Sequence, residues 1–155
     1  MYLDCVLREM FRFVPPGFGT VRILTVDDRL PSTGVELRKG DFVFIAIHNM
    51  GRDRRYWQGT VDPDQFYPER FLVEGNDVYN NKAASIPFGG GHRQCIGQDW
   101  ARFEVKAICA RLMQRVTFGD GGSEVNSGEY ADDGEDSIIP KCMGVTITFD
   151  SDYST

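Results

Sequence analysis

Residues 87–104, PFGGGHRQCIGQDWARFE, set a single thiol, Cys95, behind a run of glycines and a His-Arg pair. A cysteine just before a helix N-terminus meets free backbone N–H groups and the positive end of the helix dipole, which favour a thiolate. Gly89, Gly90, Gly91 and Gly97 carry no Cβ, so the backbone there can lie against something flat and bulky. Arg93, two residues before the thiol, offers charge-assisted hydrogen bonds to a carboxylate on that object. Phe88 offers an aromatic wall. A thiolate ligand, a flat contact surface and a carboxylate-binding arginine together suit haem held by cysteine. Taken alone, Cys95 is better read as an inert cysteine in a glycine-rich turn.

Two other charged groupings have telling spacings. In REMFR, Glu9 and Arg12 are three apart and share one helix face. As an exposed ion pair they would contribute little. Further on, YPERFL (67–72) places Arg70 between aromatic residues.

The whole pattern Phe88-Gly89-x-Gly91-x-Arg93-x-Cys95-x-Gly97, followed by Ala101 and Glu104, resembles the haem-binding signature of the cytochrome P-450 family, the haem-thiolate monooxygenases. Every fixed position of that signature is matched. Glu9 and Arg12 resemble the family's Glu-x-x-Arg motif, and residues 68–71 its Pro-Glu-Arg-Phe motif, in the family's order. The resemblance implies that Cys95 is the axial ligand and the only metal ligand. Phe88, Gly89, Gly91, Arg93, Ile96, Gly97 and Ala101 would then line the haem, with Arg93 on a propionate. Backbone N–H groups after Cys95 would donate to its sulfur. It also implies that Arg70 completes a charged triad with Glu9 and Arg12 that locks the intervening chain in place. Arg22 falls where the family often has another propionate partner, and reads equally as an exposed strand arginine. Phe18, Gly19, Thr20 and Val21, with a second turn from Ile139 to Met143, fall where the family lines its substrate pocket. Arg102, Lys106 and Arg111 suit a face that meets an electron donor, or a solvated helix face.

The implied activity is insertion of one atom of dioxygen into an organic substrate by a haem b enzyme. Electrons from NADPH would reach it only indirectly, through cytochrome P-450 reductase or another donor. The texture of residues 27–53 resembles the fatty-acid ω-hydroxylase branch, which implies a fatty-acid-like substrate. A haem-thiolate isomerase or dehydratase would use the same loop without a reductase. A non-catalytic haem-binding remnant or interaction module is the other alternative. The implied fold is mainly α with small β-sheets: helix, β hairpins, meander, Cys-ligand loop, long helix and closing strands. Residues 1–155 match the C-terminal part of a single such domain. The distal helix with its acid-Thr pair has no counterpart here, nor does the membrane anchor that would hold a complete eukaryotic member on the endoplasmic reticulum. The expectation is that the missing N-terminal part of the same protein is a partner, and that the chain is a fragment or decayed copy. Alone it would neither fold stably nor oxidise substrate.

Positioning these residues requires a definite order of elements. Leu3, Val6, Leu7, Met10 and Phe11 are spaced like one helix face over 2–13, and Pro15-Pro16 ends it. Residues 20–26 have strand composition, and 29–37 carry the Pro, Ser and Gly of a turn. The apolar run 42–47 suits a buried strand. From 51 to 84 the chain reads as a long ordered meander with one short helix around Arg52–Trp57. A helix is expected from just after Cys95 to about Arg115, with Trp100, Phe103, Ala107 and Ala110 on one face. Residues 144–150 alternate like a closing strand.

Net charge is −6, but the excess is local. Residues 119–140 hold seven of the 23 acidic residues and no base, which leaves 16 acids against 17 bases elsewhere. The stretch 119–137 therefore reads as a mobile acidic, Gly-rich loop, and the charge does not describe the domain's partners. No basic stripe with interleaved aromatics marks a nucleic-acid binder. Cys5, Cys109 and Cys142 read as small buried hydrophobes. With His48 and His92 they complete no zinc spacing.

Overall fold

The computed structural model describes residues 2–57, 59, 61–72, 84–120 and 145–149. The chain divides into two compact units, Met1–Asp99 and Trp100–Thr155. Among the described residues no helix is long and apolar enough to cross a membrane.

The first unit opens with α1 (Tyr2–Phe13). Its sequence is rich in good helix formers, with Asp4 in the first turn and Arg12 in the last, each favourable to the helix dipole. The Val14 amide still reaches the Met10 carbonyl at 2.7 Å, after which Pro15 and Pro16 cannot continue the ladder. The inward face differs from the expected apolar stripe. Cys5, Leu7 and Phe11 are buried, but so are Glu9 and Arg12.

Two small sheets follow. Strands β1 (Thr20–Ile23) and β4 (Phe42–Ile45) pair antiparallel, with Val21 opposite Phe44 and Ile23 opposite Phe42. Strands β2 (Asp28–Arg29) and β3 (Glu36–Leu37) form a second hairpin around the expected turn. The apolar run at 42–47 is not a buried strand. Phe42 is 74% and Phe44 60% exposed, because one face of a two-stranded sheet has no covering layer among the described residues. The run also ends early. From Ile47 the chain is helical: α2 (Ile47–Met50) stands where a strand end was expected, and residues 52–57 form turns instead of the expected short helix. The His48 amide donates to the Phe18 carbonyl at 2.9 Å, which ties the start of α2 to the chain just before β1. β1 itself stops at Ile23, where Leu24 and Asp41 close the hairpin with an N–H···O bond of 3.0 Å.

Two 3-10 turns, Pro68–Phe71 and Gly91–Arg93, flank the remaining described part of the unit. Helix α3 (Gln98–Met113) begins at its end. In the second unit α3 continues into β5 (Val116–Asp120), which pairs antiparallel with β6 (Val145–Phe149). The expected closing strand is β6. Its partner β5 overlaps the start of the expected acidic loop, and a strand there had no local sequence signal beyond Val116 and Phe118. The rest of 119–137 lies outside the described residues. The sum is mainly α with small two-stranded β-sheets.

Candidate functional site

The most deeply buried large side chains of the described residues are charged: Glu9 at 0%, Arg12 at 1% and Arg70 at 2% exposure. Such burial is costly unless the charges are paired and hydrogen-bonded, and every side-chain nitrogen and oxygen of the three except Arg70 Nη1 has a partner. Glu9 Oε2 accepts from Arg12 Nε at 2.7 Å, and Oε1 accepts from Arg12 Nη2 at 2.7 Å and Arg70 Nε at 3.1 Å. Oε1 also accepts the Tyr67 amide at 2.7 Å. That amide precedes the Pro68 turn and would otherwise be an orphan donor of the turn's first residues. Arg12 spends its other donors on backbone carbonyls: Gly51 at 2.6 Å, Pro63 at 2.7 Å and Gln65 at 3.1 Å. Arg70 Nη2 donates to the carbonyls of Asp62 at 3.2 Å and Gln65 at 3.0 Å. Trp57, buried beneath the Arg12 guanidinium at 5.2 Å, donates its indole N–H to the Met50 carbonyl at 3.0 Å. The three charges thus bind the meander by its main chain.

The thiol loop is built next to α1. Phe88 meets Phe11 edge to face, with ring centroids 5.0 Å apart. The Phe88 carbonyl accepts the Cys95 amide at 2.9 Å, and Gln94 closes a turn on the Gly91 carbonyl at 3.1 Å. Gly89 and Gly91 have φ of +74° and +65°, values that L side chains rarely adopt. A Cβ added at Gly90 or Gly91 would meet nothing within 4 Å, and one at Gly97 would touch only Cys95 Sγ, at 4.0 Å. Cys95, Arg93 and Ile96 are exposed, and Gly97 is half-buried at the start of α3.

The architecture around Cys95 therefore consists of an exposed sulfur, an open backbone surface and a supporting charged helix. The sequence profile of the family described as Cytochrome P450 matches residues 1–128. The chain belongs to the cytochrome P450 family. It is 39% identical over 114 residues to Putative cytochrome P450 120 of Synechocystis, covering 74% of this chain and 24% of that one. It is 36% identical over 113 residues to Cytochrome P450 734A2 of Oryza sativa, covering 73% and 20%. Among solved structures, retinoic acid bound cyanobacterial CYP120A1 superposes with a TM-score of 0.68 at 37% identity, over 77% of this chain and 27% of that one. The chain thus spans between a fifth and a quarter of the length of these curated relatives.

Haem b is the cofactor of P450s, with NADPH acting only indirectly through a reductase. The residues present fit it: the exposed thiol supplies a soft ligand, and the glycine turn leaves the open surface that a flat macrocycle needs. Ala101 is half-buried on α3, where Arg102 and Arg111 are exposed and Lys106 is half-buried.

The sequence-derived pocket residues stand elsewhere in the first unit. Phe18 stacks on the His48 ring at 5.1 Å. His48 is held below its ordinary value by burial first, and by nearby Arg52 second. Gly19 is half-buried, and a Cβ there would strike the Phe44 ring and the Ile45 carbonyl. Val21 is exposed, and Arg22, half-buried, donates to Thr20 Oγ1 at 2.6 Å and the Val21 carbonyl at 2.8 Å. Cys5 is buried and Cys109 only half-buried. Ile139 to Met143, including Cys142, lie outside the described residues.

Three participants escaped the sequence reading: Gly51, the Tyr67 amide and the carbonyls of residues 62–65. Backbone acceptors leave no residue-type signal. Gly51 itself stood in the sequence only as the first residue of the expected meander.

Proposed function

We propose that this chain is the haem-binding C-terminal part of a P450 monooxygenase, with Cys95 Sγ as the axial ligand. The observation that carries the proposal is the exposed thiol on a turn whose glycines hold positive φ beside open space. Cys95 would bind the iron through its sulfur, and Arg93, on the exposed turn before it, would donate to a propionate. Gly89, Gly91 and Gly97 would let the main chain approach the macrocycle. Ile96 and Ala101 would contact its edge, and Arg22 would serve as a second propionate partner. When bound, the haem supplies the iron centre at which dioxygen is activated, so that one of its atoms enters an organic substrate. Glu9, Arg12 and Arg70 take no part in that chemistry. Their work is to hold the meander against α1. The resemblance of residues 27–53 to ω-hydroxylases narrows the substrate to a fatty-acid-like molecule. Phe18, Gly19, Thr20, Val21 and Met143 would line its pocket. The electron donor would be a P450 reductase or equivalent, meeting Arg102, Lys106 and Arg111.

The test is a haem titration of the chain, read by the Soret band of the reduced carbon monoxide complex. The parent should give a thiolate-ligated spectrum, and Cys95→Ser should lose it. Identical spectra for the two would remove Cys95 from the site.

A further inference from the structure

The charged network binds the meander, yet the thiol loop must also be held. The network's hydrogen bonds run to residues 51–67, whereas the loop occupies 86–97. Phe11 lies between Glu9 and Arg12 on the same helix, and its side chain is 6% exposed. Its ring meets Phe88 at 5.0 Å and an interplanar angle of 64°, the edge-to-face geometry that aromatic pairs prefer. Phe88 is also the residue whose carbonyl takes the Cys95 amide. Packing that fixes the Phe88 ring restrains the Phe88 backbone, whose carbonyl is the acceptor for the Cys95 amide.

We infer that Phe11 is a positioning residue for Cys95: it carries the rigidity of α1 through the Phe88 ring to the Phe88 O···H–N Cys95 bond. Its functional meaning rests on Cys95 being the haem ligand; its geometry does not. The helix that the triad clamps is then the same helix that sets the thiol. Leucine at position 11 would fill most of the volume but would lose the ring quadrupole that orients the pair.

The experiment is amide hydrogen exchange at Cys95 in the 155-residue chain without haem. The Arg70 amide, bonded to the Tyr67 carbonyl at 3.2 Å, serves as the internal reference. Phe11→Leu should speed exchange at Cys95 relative to Arg70 by about two- to tenfold, the range of one aromatic pair. Phe88→Leu should do the same, and the double variant should add nothing further. Leu7→Ala, which removes a buried side chain one turn earlier, should shift both amides together. The inference is overturned if the parent's Cys95 amide is unprotected while its Arg70 amide, whose protection shows that the first unit is folded, is protected. It is equally overturned if Phe11→Leu moves both amides by one factor, or if the two leucine effects simply multiply. A Cys95→Ser variant that keeps the haem spectrum would instead sink the ligand reading and leave the exchange result standing.

Discussion

The Arg12 side chain bonds to the Gly51 main chain, and the two main chains pass too close for a side chain at position 51. The Arg12 guanidinium donates to the Gly51 carbonyl at 2.6 Å, while a Cβ on Gly51 would lie 2.5 Å from the Arg12 carbonyl oxygen. Both atoms of the clash would be backbone or directly attached to it, so neither can rotate away. Gly51→Ala should therefore destabilise the chain by about 1–3 kcal/mol through overpacking. Urea unfolding followed by tryptophan fluorescence checks this through Trp57. An unchanged midpoint would show that the meander yields at little cost.

Glu9→Gln tests the buried charges. Glu9 accepts from two guanidinium groups and the Tyr67 amide, all buried or half-buried. Removing its charge leaves Arg12 and Arg70 unmatched, at a cost of about 3–5 kcal/mol. Arg12→Lys should also destabilise, because three ammonium donors cannot replace the guanidinium's five hydrogen bonds. Denaturant midpoints of both variants against the parent give the comparison. Losses under 1 kcal/mol, the size of an exposed pair, would contradict the burial argument.

Tyr2 and Glu69 tie α1 to the Pro68 turn by a 2.6 Å hydrogen bond from the tyrosine hydroxyl. That bond holds Glu69 below the usual carboxylate range and Tyr2 above the usual tyrosine value. The carboxylate's share of stability is present above its unfolded pKa and is lost as pH falls through the depressed folded value. The hydroxyl's share is present below its unfolded pKa and is lost as pH rises through the raised folded value. Both groups face water, so the stability change is small and the titration is the better readout. In Tyr2→Phe, the NMR titration of Glu69 should move up towards an ordinary glutamate.

Gly90 and Gly91 separate backbone strain from surface. Gly91 has φ +65°, while Gly90 has the extended φ of −156°, and a Cβ at either meets open space. Gly91→Ala should cost about 1–2 kcal/mol, the penalty of a left-handed L-residue. Gly90→Ala should leave the thermal midpoint unchanged. Residue 90 is an unfixed position of the haem-binding signature, so Gly90→Ala should also leave haem binding unchanged, whereas Gly91→Ala should weaken it. Thermal melts and haem titrations of the pair decide both points.

The two long helices, α1 and α3, were legible because their signals are local; the one-turn α2 was not. The spacing of Leu3 to Phe11 and the proline pair define α1, and the residues after Cys95 define α3, each within one stretch of chain. The turn around 30–35 announced itself by its Pro, Ser and Gly. The strands were less legible. Nothing within 42–47 says that Phe42 and Phe44 face outward, since exposure depends on which layer covers them. Likewise β5 exists as a strand through its pairing with β6, whose partner residues lie 25 to 33 positions away.

At the site, sequence alone determined the chemical inventory: a lone thiol after a glycine run, and a glutamate and an arginine on one face of a helix. Residue types and short spacings are properties of the chain itself. Only the tertiary structure decided that Glu9 lies against Arg70, that Arg12 grips carbonyls of residues 51–65, and that Phe11 meets Phe88. Those partners are main-chain atoms or residues about 40–75 positions away. Their meeting is set by burial and by the need of each buried charge for a partner, which no local pattern encodes.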